Sequence, residues 1–448
     1  MSSIVGDTFS AESFERFLES RDEPIWRREA RRAAWSLFES LPMPDRSIEE
    51  WARTDIRGFR WEQFAGLPGV ERPQEIAATS GTEAAPDSVG RGLLGDGVEL
   101  AGRMVSLDGS TVECVVAGTL AQRGIVFGPI EDVLRQRPDV LRPHLFGPTF
   151  DPRADKFSAY HAACWHGGGA LYVPPYASAG TVHLLMQLSP SGIDLSHQLI
   201  VLDEGAEATV LVETAGPSDG AAALHCGAVE IVVGRGAKLT YVNLQNWGTG
   251  VWHFAQQKAR VAREGSIQWT VGALGARLAH VSQHVVLAEP DAAAQVNGVM
   301  FTEGRQYLNY LTLQHHQAPG GRSDLLYKGA LQDRSRIVWR GMIRVDLDAQ
   351  KTDGYQRNDN LMLSNDARAD SIPGLEILAD DVKCTHGATA GRVEDEMIFY
   401  LGTRGLTRKE AARMVVAGFF QQVFDRITIE SVRHALAEAI GRRVREYR

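Results

Sequence analysis

The sequence predicts a mainly β protein: a solenoid of β coils held between two helical ends. Three observations carry this. Short runs of alternating polar and apolar residues fill the long middle of the chain. Similar turns recur there at intervals of roughly 30 residues, within the range of stacked-repeat architectures. Before and after that middle, the apolar residues switch to helical spacing.

The N-terminal part, to about residue 70, reads as helical. Pro24 stands where a first helical turn tolerates proline, and Trp26, Ala30, Ala33, Leu37, Phe38 and Leu41 follow at helical spacing. Pro42 and Pro44 end that helix. Arg27, Arg28, Arg31 and Arg32 read as its solvated face. From Leu67 to Val98 the chain is rich in Gly, Pro, Ser, Thr and acids, which predicts a linker. The expected division is a helical domain with linker over 1–103, a β core over 104–393 and a helical domain over 394–448.

Within the middle, Ile267, Trp269 and Val271 alternate with Ser266, Gln268 and Thr270. Ile337, Trp339, Gly341, Ile343 and Val345 alternate with Val338, Arg340, Met342, Arg344 and Asp346. Period two signals strands with one buried face. No helical stretch is read between them, which excludes an alternating βα fold. The recurring turns are Glu204-Gly205-Ala206, Arg235-Gly236-Ala237 and Glu264-Gly265-Ser266. A propeller or sandwich would also give such strands. A solenoid best accounts for the length, the even spacing and the isolated glycines at corners.

After Glu394 the pattern is helical again. Thr407-Arg-Lys-Glu410 has capping-box form, with Leu406 placed as a staple. Ala412, Val416, Phe419, Phe420, Val423 and Ile427 make one apolar stripe; Ile429, Val432, Leu436, Ala439 and Ile440 make another. These stripes must pack on each other, on the β body or on a partner.

Composition narrows the function. The chain of 448 residues is 44% hydrophobic and 23% charged, as expected of a globular protein. Its net charge of -9 argues against a nucleic-acid surface, which needs clustered Lys and Arg. No run of about 18 apolar residues exists, so no membrane span is expected. Met1 to Ser10 lack the pattern of a signal peptide. Cys114, Cys164, Cys226 and Cys384 are scattered without a CxxC pair and read as reduced thiols. A cytoplasmic protein is the expectation.

The sequence from Asp380 to Thr389 contains Cys384-Thr385-His386. In a strand, residues two apart share a face, and thiolate and imidazole are both good ligands for iron, zinc or copper. The bland alternative is a buried cysteine beside a hydrogen-bonded histidine. Cys164-Trp165-His166 repeats the spacing ahead of three glycines and reads as a corner; His315-His316 reads as one packed and one exposed residue. The acids between Asp346 and Asp381 would suit carbohydrate cleavage on a β-solenoid, but solvated loops account for them. There is no GxxxxGK[ST], no completed GxGxxG and no GxSxG, so the chain is not expected to be an enzyme by itself.

At these residues the sequence resembles the SufB/SufD family of iron–sulfur cluster assembly proteins. Leu375 through Thr389 is similar to the family signature near the end of the core, and Phe399 through Leu406 resembles its FYL-x-x-RG-[IL] segment. Gly167 through Pro175 resembles GG-x-x-[IL]YVP, and Glu49 through Asp55 resembles EW-x-x-TD. The four matches are collinear. The resemblance implies a right-handed parallel β-helix core flanked by N-terminal and C-terminal helical domains. It is closest to SufD-like members, since the additional core cysteine and the Glu-rich segment of SufB-like members have no counterpart here. It further implies a SufB-like scaffold partner at the β-helix end and an ABC-type ATPase, SufC-like, on the C-terminal helices. A transient iron–sulfur cluster would be shared with the SufB-like partner, with His386 and Cys384 as the metal-site residues. Phe399, Tyr400, Arg404, Gly405, Val416, Phe419 and Phe420 would bind the ATPase. Flavin binding in the complex and a homodimer of the chain alone are left open.

Overall fold

A computed structural model describes residues 9–64, 92–217 and 220–444. Most of the expected linker and most of the Met1–Ser10 stretch lie outside the described residues. The protein is mainly β, a parallel β-solenoid of about 8 turns with helices at both ends. The helices are α1 (Ala11–Glu19), α2 (Ile25–Ser40), α3 (Gly118–Gln122), α4 (Ile130–Gln136), α5 (Pro138–Leu141), α6 (Lys156–Cys164), α7 (Asp395–Thr403), α8 (Arg408–Phe424) and α9 (Glu430–Arg443).

Successive coils feed two 10-stranded sheets. The first runs from Gly102–Leu107 and its neighbour Ser110–Val116 to Lys383–Arg392; the second runs from Val126–Pro129 to Arg368–Ile377. The coil length is visible in the register. Ser266 pairs with Ala293, 27 residues on, and Arg322 with Asp353, 31 residues on. Inside, Val, Leu, Ile and Ala stack coil on coil with Tyr241, Trp269, Tyr310, Tyr327 and Trp339.

The turns stack as well. Gly205 donates its amide to Arg235 O at 2.8 Å, and Gly236 donates to Arg263 O at 2.9 Å. Gly205 and Gly236 both have φ of 62°. In the third turn the left-handed residue is Glu264, with φ 58°, not Gly265. The sequence alignment of that turn was therefore off by one position, because a glutamate occupies the strained site at a cost of about 1 kcal/mol.

Two further expectations are corrected. The middle of the chain does contain helices, α3 to α6, before the regular coils begin. In α6 the residues from Phe157 to Cys164 are all buried, so the segment has no polar face to betray a helical period. Likewise, the buried face of α2 is Arg27, Arg31, Ala34, Trp35 and Phe38. Arg27 and Arg31 are thus not a solvated face: Glu23 pairs with both, and the Trp165 ring lies under both guanidiniums.

The helical ends clad opposite sides. The N-terminal segment packs on the second sheet through Trp51, Phe59, Phe157, Leu224, Phe254 and Leu278. Trp51 stacks on the His280 ring at 3.8 Å, and Thr54 Oγ1 lies 3.0 Å from His280 Nδ1. The Trp51 and Thr54 of the N-terminal motif are therefore anchors onto the solenoid. The C-terminal helices lie on the first sheet, where Val242, Leu244, Val299 and Leu326 meet Val416, Phe420, Val423 and Leu436.

Candidate functional site: the open end of the solenoid

The last coil ends in two strands, Arg368–Ile377 and Lys383–Arg392, each the terminal strand of its sheet. Their outer edges have no neighbour among the described residues. A parallel strand points alternate backbone groups to alternate sides. Lys383 donates inward to Thr352 O at 2.8 Å, and Val393 to Met362 O at 3.3 Å. The amides of Cys384, His386, Ala388 and Ala390 therefore face outward as an unbroken row of donors. The other edge differs. Arg368 and Leu378 donate inward, so the amide position of Pro373 faces outward and holds no donor. Proline at that position blunts the edge. Leu347, Ile377 and Leu378 are exposed beside these strands.

Cys384 and His386 stand on one face of Lys383–Arg392, as their spacing predicts. That face is the solenoid mouth. Cys384 packs against Ile343, Val345, Ala349 and Ala379, and burial raises its thiol pKa. His386 is exposed and lies in register above Gln356, whose side chain is buried and donates to Gly374 O at 2.9 Å. No group of three His, Cys, Asp or Glu able to hold a metal ion occurs among the described residues. Among the described residues, Cys384 and His386 are two donor side chains on this face, fewer than such a group needs.

The opposite face of the same strand reaches toward the C-terminal helices. Thr389 Oγ1 donates to Asp359 Oδ1 at 2.6 Å. Asp359 lies 3.9 Å from Lys328 Nζ, which donates to Phe419 O of α8 at 3.0 Å. Sequence reasoning missed this relay, since its members are 30 and more residues apart and Asp359 looked like a solvated acid.

The ATPase-binding residues expected from the resemblance fall into two groups. Phe399 is 75% exposed and Tyr400 56% exposed on α7. Arg404 donates to Tyr400 Oη at 3.1 Å, and Gly405, with φ of 90°, turns the chain into α8. Val416 and Phe420, in contrast, are buried against the first sheet, and Phe419 is half-buried under Lys328. The stripe expected to await a partner is already covered by the chain's own β body. The capping box of α8 forms as expected.

The other three cysteines and the His315-His316 pair have structural surroundings. Cys164 and Cys226 are buried, and burial pushes the Cys114 thiol up to about 11. His316 is buried 2.8 Å from Ser323 Oγ, while His315 meets Asp346 at 3.0 Å.

Fold and mouth together define a β-solenoid whose last coil ends in two strands with free outer edges among the described residues. A family model for the SUF system iron–sulfur cluster assembly SufBD core domain matches residues 186–419, more than half the chain. The chain belongs to the SufBD family. Relatives agree over most of their length. An "Iron-sulfur cluster assembly SufBD family protein" of Staphylococcus epidermidis is 26% identical over 415 residues, 92% of this chain and 88% of that protein. Counterparts of the same description in Staphylococcus haemolyticus and Staphylococcus aureus are each 25% identical over the same shares. A role in iron–sulfur cluster assembly follows from the family.

Proposed function

We propose that this chain is the SufD-like member of a cluster-assembly complex, a scaffold without catalysis of its own, acting in the cytoplasm. Its open solenoid end pairs with a SufB-like scaffold, and a SufC-like ABC ATPase docks on the C-terminal helices. The observation that carries this reading is the unbroken edge of Lys383–Arg392 with His386 and Cys384 in the mouth behind it. An exposed edge strand is a template for another chain's strand. Two donors cannot hold an iron site alone, so the partner supplies the rest. The cluster is cargo here, assembled across the junction and passed on.

His386 binds iron as neutral imidazole, with thiolate charge coming from the partner or from Cys384. Partial burial raises the Cys384 thiol pKa, which favours His386 as the main donor. The ATPase face is Phe399, Tyr400 and Arg404 with Gly405 as its hinge, and Phe419, Phe420 and Val416 act behind it by holding α8 to the solenoid. The Phe419–Lys328–Asp359–Thr389 chain supports a mechanical link from α8 to the strand bearing His386. The test is co-purification with SufB-like and SufC-like proteins, followed by iron and sulfide analysis. Binding of both partners with cluster formation is expected. A stable complex whose cluster yield ignores His386 favours the second reading, a purely structural partner. A homodimer that never exchanges for a SufB-like chain argues against the proposal.

A further inference from the structure

Far from the mouth, the start of α2, the α4–α5 corner and His166 enclose a cleft of about 620 Å³. Its floor is charged and short of anions. Arg21, Arg27 and Arg31 face two carboxylates, Glu23 and Glu131. Arg31 donates to Glu23 through Nε at 2.8 Å and Nη2 at 3.0 Å, and also to Ala163 O through Nη1 and to Trp165 O through Nη2. Arg21 takes Glu131 at 2.8 Å. Arg27, only 6% exposed, is left with contacts of 3.3 Å to Glu23 and 3.4 Å to Glu131.

Two buried nitrogens here have no hydrogen-bond partner, Nε of Arg21 and Nε of Arg27, while Nδ1 of His166 lies 3.5 Å from Glu131 Oε1. Burial, and then the neighbouring Arg31, push Arg27 down to about 9, as expected of a cation without its full counter-charge. Burial works against ionised Glu131, but His166, Arg21 and Arg27 hold it well below its usual range. Both carboxylates are therefore already ionised and committed, and one positive charge stays unmatched.

The rim adds to the same sign. The Arg142 guanidinium sits 4.8 Å over the Trp26 ring, and Arg135 has only exposed Asp132 at 3.3 Å. Asp22 is the one further acid lining the cleft, and it is exposed. The first turn of α2 opens on the cleft without a side-chain cap, so its free amides and dipole favour an anion. Leaving a buried charge unpaired is costly, whereas a guanidinium and an oxyanion make short, strong, geometrically matched bonds.

We propose that this cleft binds a small organic anion bearing phosphate or carboxylate groups, with Arg27 as the buried counter-ion and Arg142 and Trp26 at its entrance. The concave shape and the overall acidity of the chain suit a small molecule, not a nucleic acid. The site is independent of the solenoid mouth and of the cluster.

The test is calorimetry and thermal unfolding of the full chain at low ionic strength, with inorganic phosphate in one arm and citrate in the other, each against matched sodium chloride. Saturable binding of at least one anion is expected, with a rise in melting temperature. The stronger arm identifies which group the cleft prefers. Arg27→Met removes the binding. Arg142→Glu lies at the exposed rim, leaves the melting temperature of the unliganded chain unchanged and weakens binding about tenfold or more. If Arg27→Met fails to fold, Arg142→Glu decides alone. Failure of both anions to bind beyond chloride overturns the proposal, and so does binding that Arg142→Glu leaves intact.

Discussion

The two ends of the solenoid are finished in opposite ways. At the first end each sheet receives an antiparallel strand from its own chain: Ser110–Val116 beside Gly102–Leu107, and Val126–Pro129 beside Gly169–Val173. Helices α3 to α5 close around them, with Ile130, Val133, Leu134 and Leu141 buried. At the last end both terminal strands keep an edge that is free among the described residues, one broken by Pro373 and one carrying an unbroken row of donors. A bare edge is a template for another chain's strand, and this difference between the ends is what supports the proposed pairing at the last one.

Changes at the two ends should therefore differ in kind. Phe127 is buried over Gly102 at the closed end. Phe127→Ala is expected to cost about 3–5 kcal/mol of stability, read by urea unfolding. Leu378→Ala at the open end, where the side chain is 51% exposed, should cost less than about 0.5 kcal/mol. Equal costs would erase the distinction.

The edge itself can be broken without harming the fold. Ala388→Pro removes an outward amide that the chain does not use, a position where edge strands accept proline. It should weaken association with a SufB-like partner about a hundredfold, about 2.7 kcal/mol, with little change in melting temperature. Unchanged co-purification would count against the edge as interface.

Acid should act on the clad side. Burial lowers His280, stacked on Trp51, to about 3, so the folded state keeps it neutral while the unfolded state takes up a proton below about 6.5. Its contribution is complete above that pH and is lost as pH falls towards about 3. Between about pH 6.5 and 5 His280 alone accounts for about 2 kcal/mol of lost stability. Denaturation curves at the two pH values check this, and His280→Asn should flatten the dependence. A smaller effect is expected on α7. Phe399→Asp should weaken ATPase binding about tenfold, about 1.4 kcal/mol, and leave the chain folded. Phe420→Asp would instead disrupt the packing of α8, because Phe420 is buried beneath it.

The fold was largely legible because a strand displays its environment every second residue, as Ile267, Trp269 and Val271 do. Helix α6 was not, since burial on all sides leaves no period. The paired Cys384 and His386 were legible from spacing and motif. The bareness of their strand was not, because an edge is a property of register, and only the inward bonds of Lys383 and Val393 reveal it. The role of Arg27 and Arg31 was hidden for a related reason. Trp165, which lies under both guanidiniums, and Glu131, which pairs with Arg27, stand more than a hundred residues from these partners in the chain. Spacing likewise cannot tell Phe399, which is exposed, from Phe420, which the β body already covers.

The central claim is that the open mouth holds part of a cluster site completed by a partner. The most direct measurement is iron and sulfide content per complex after reconstitution of His386→Ala with SufB-like and SufC-like proteins. The account predicts an intact complex with a cluster yield several-fold below that of the unchanged chain. An intact complex with a normal yield would contradict it.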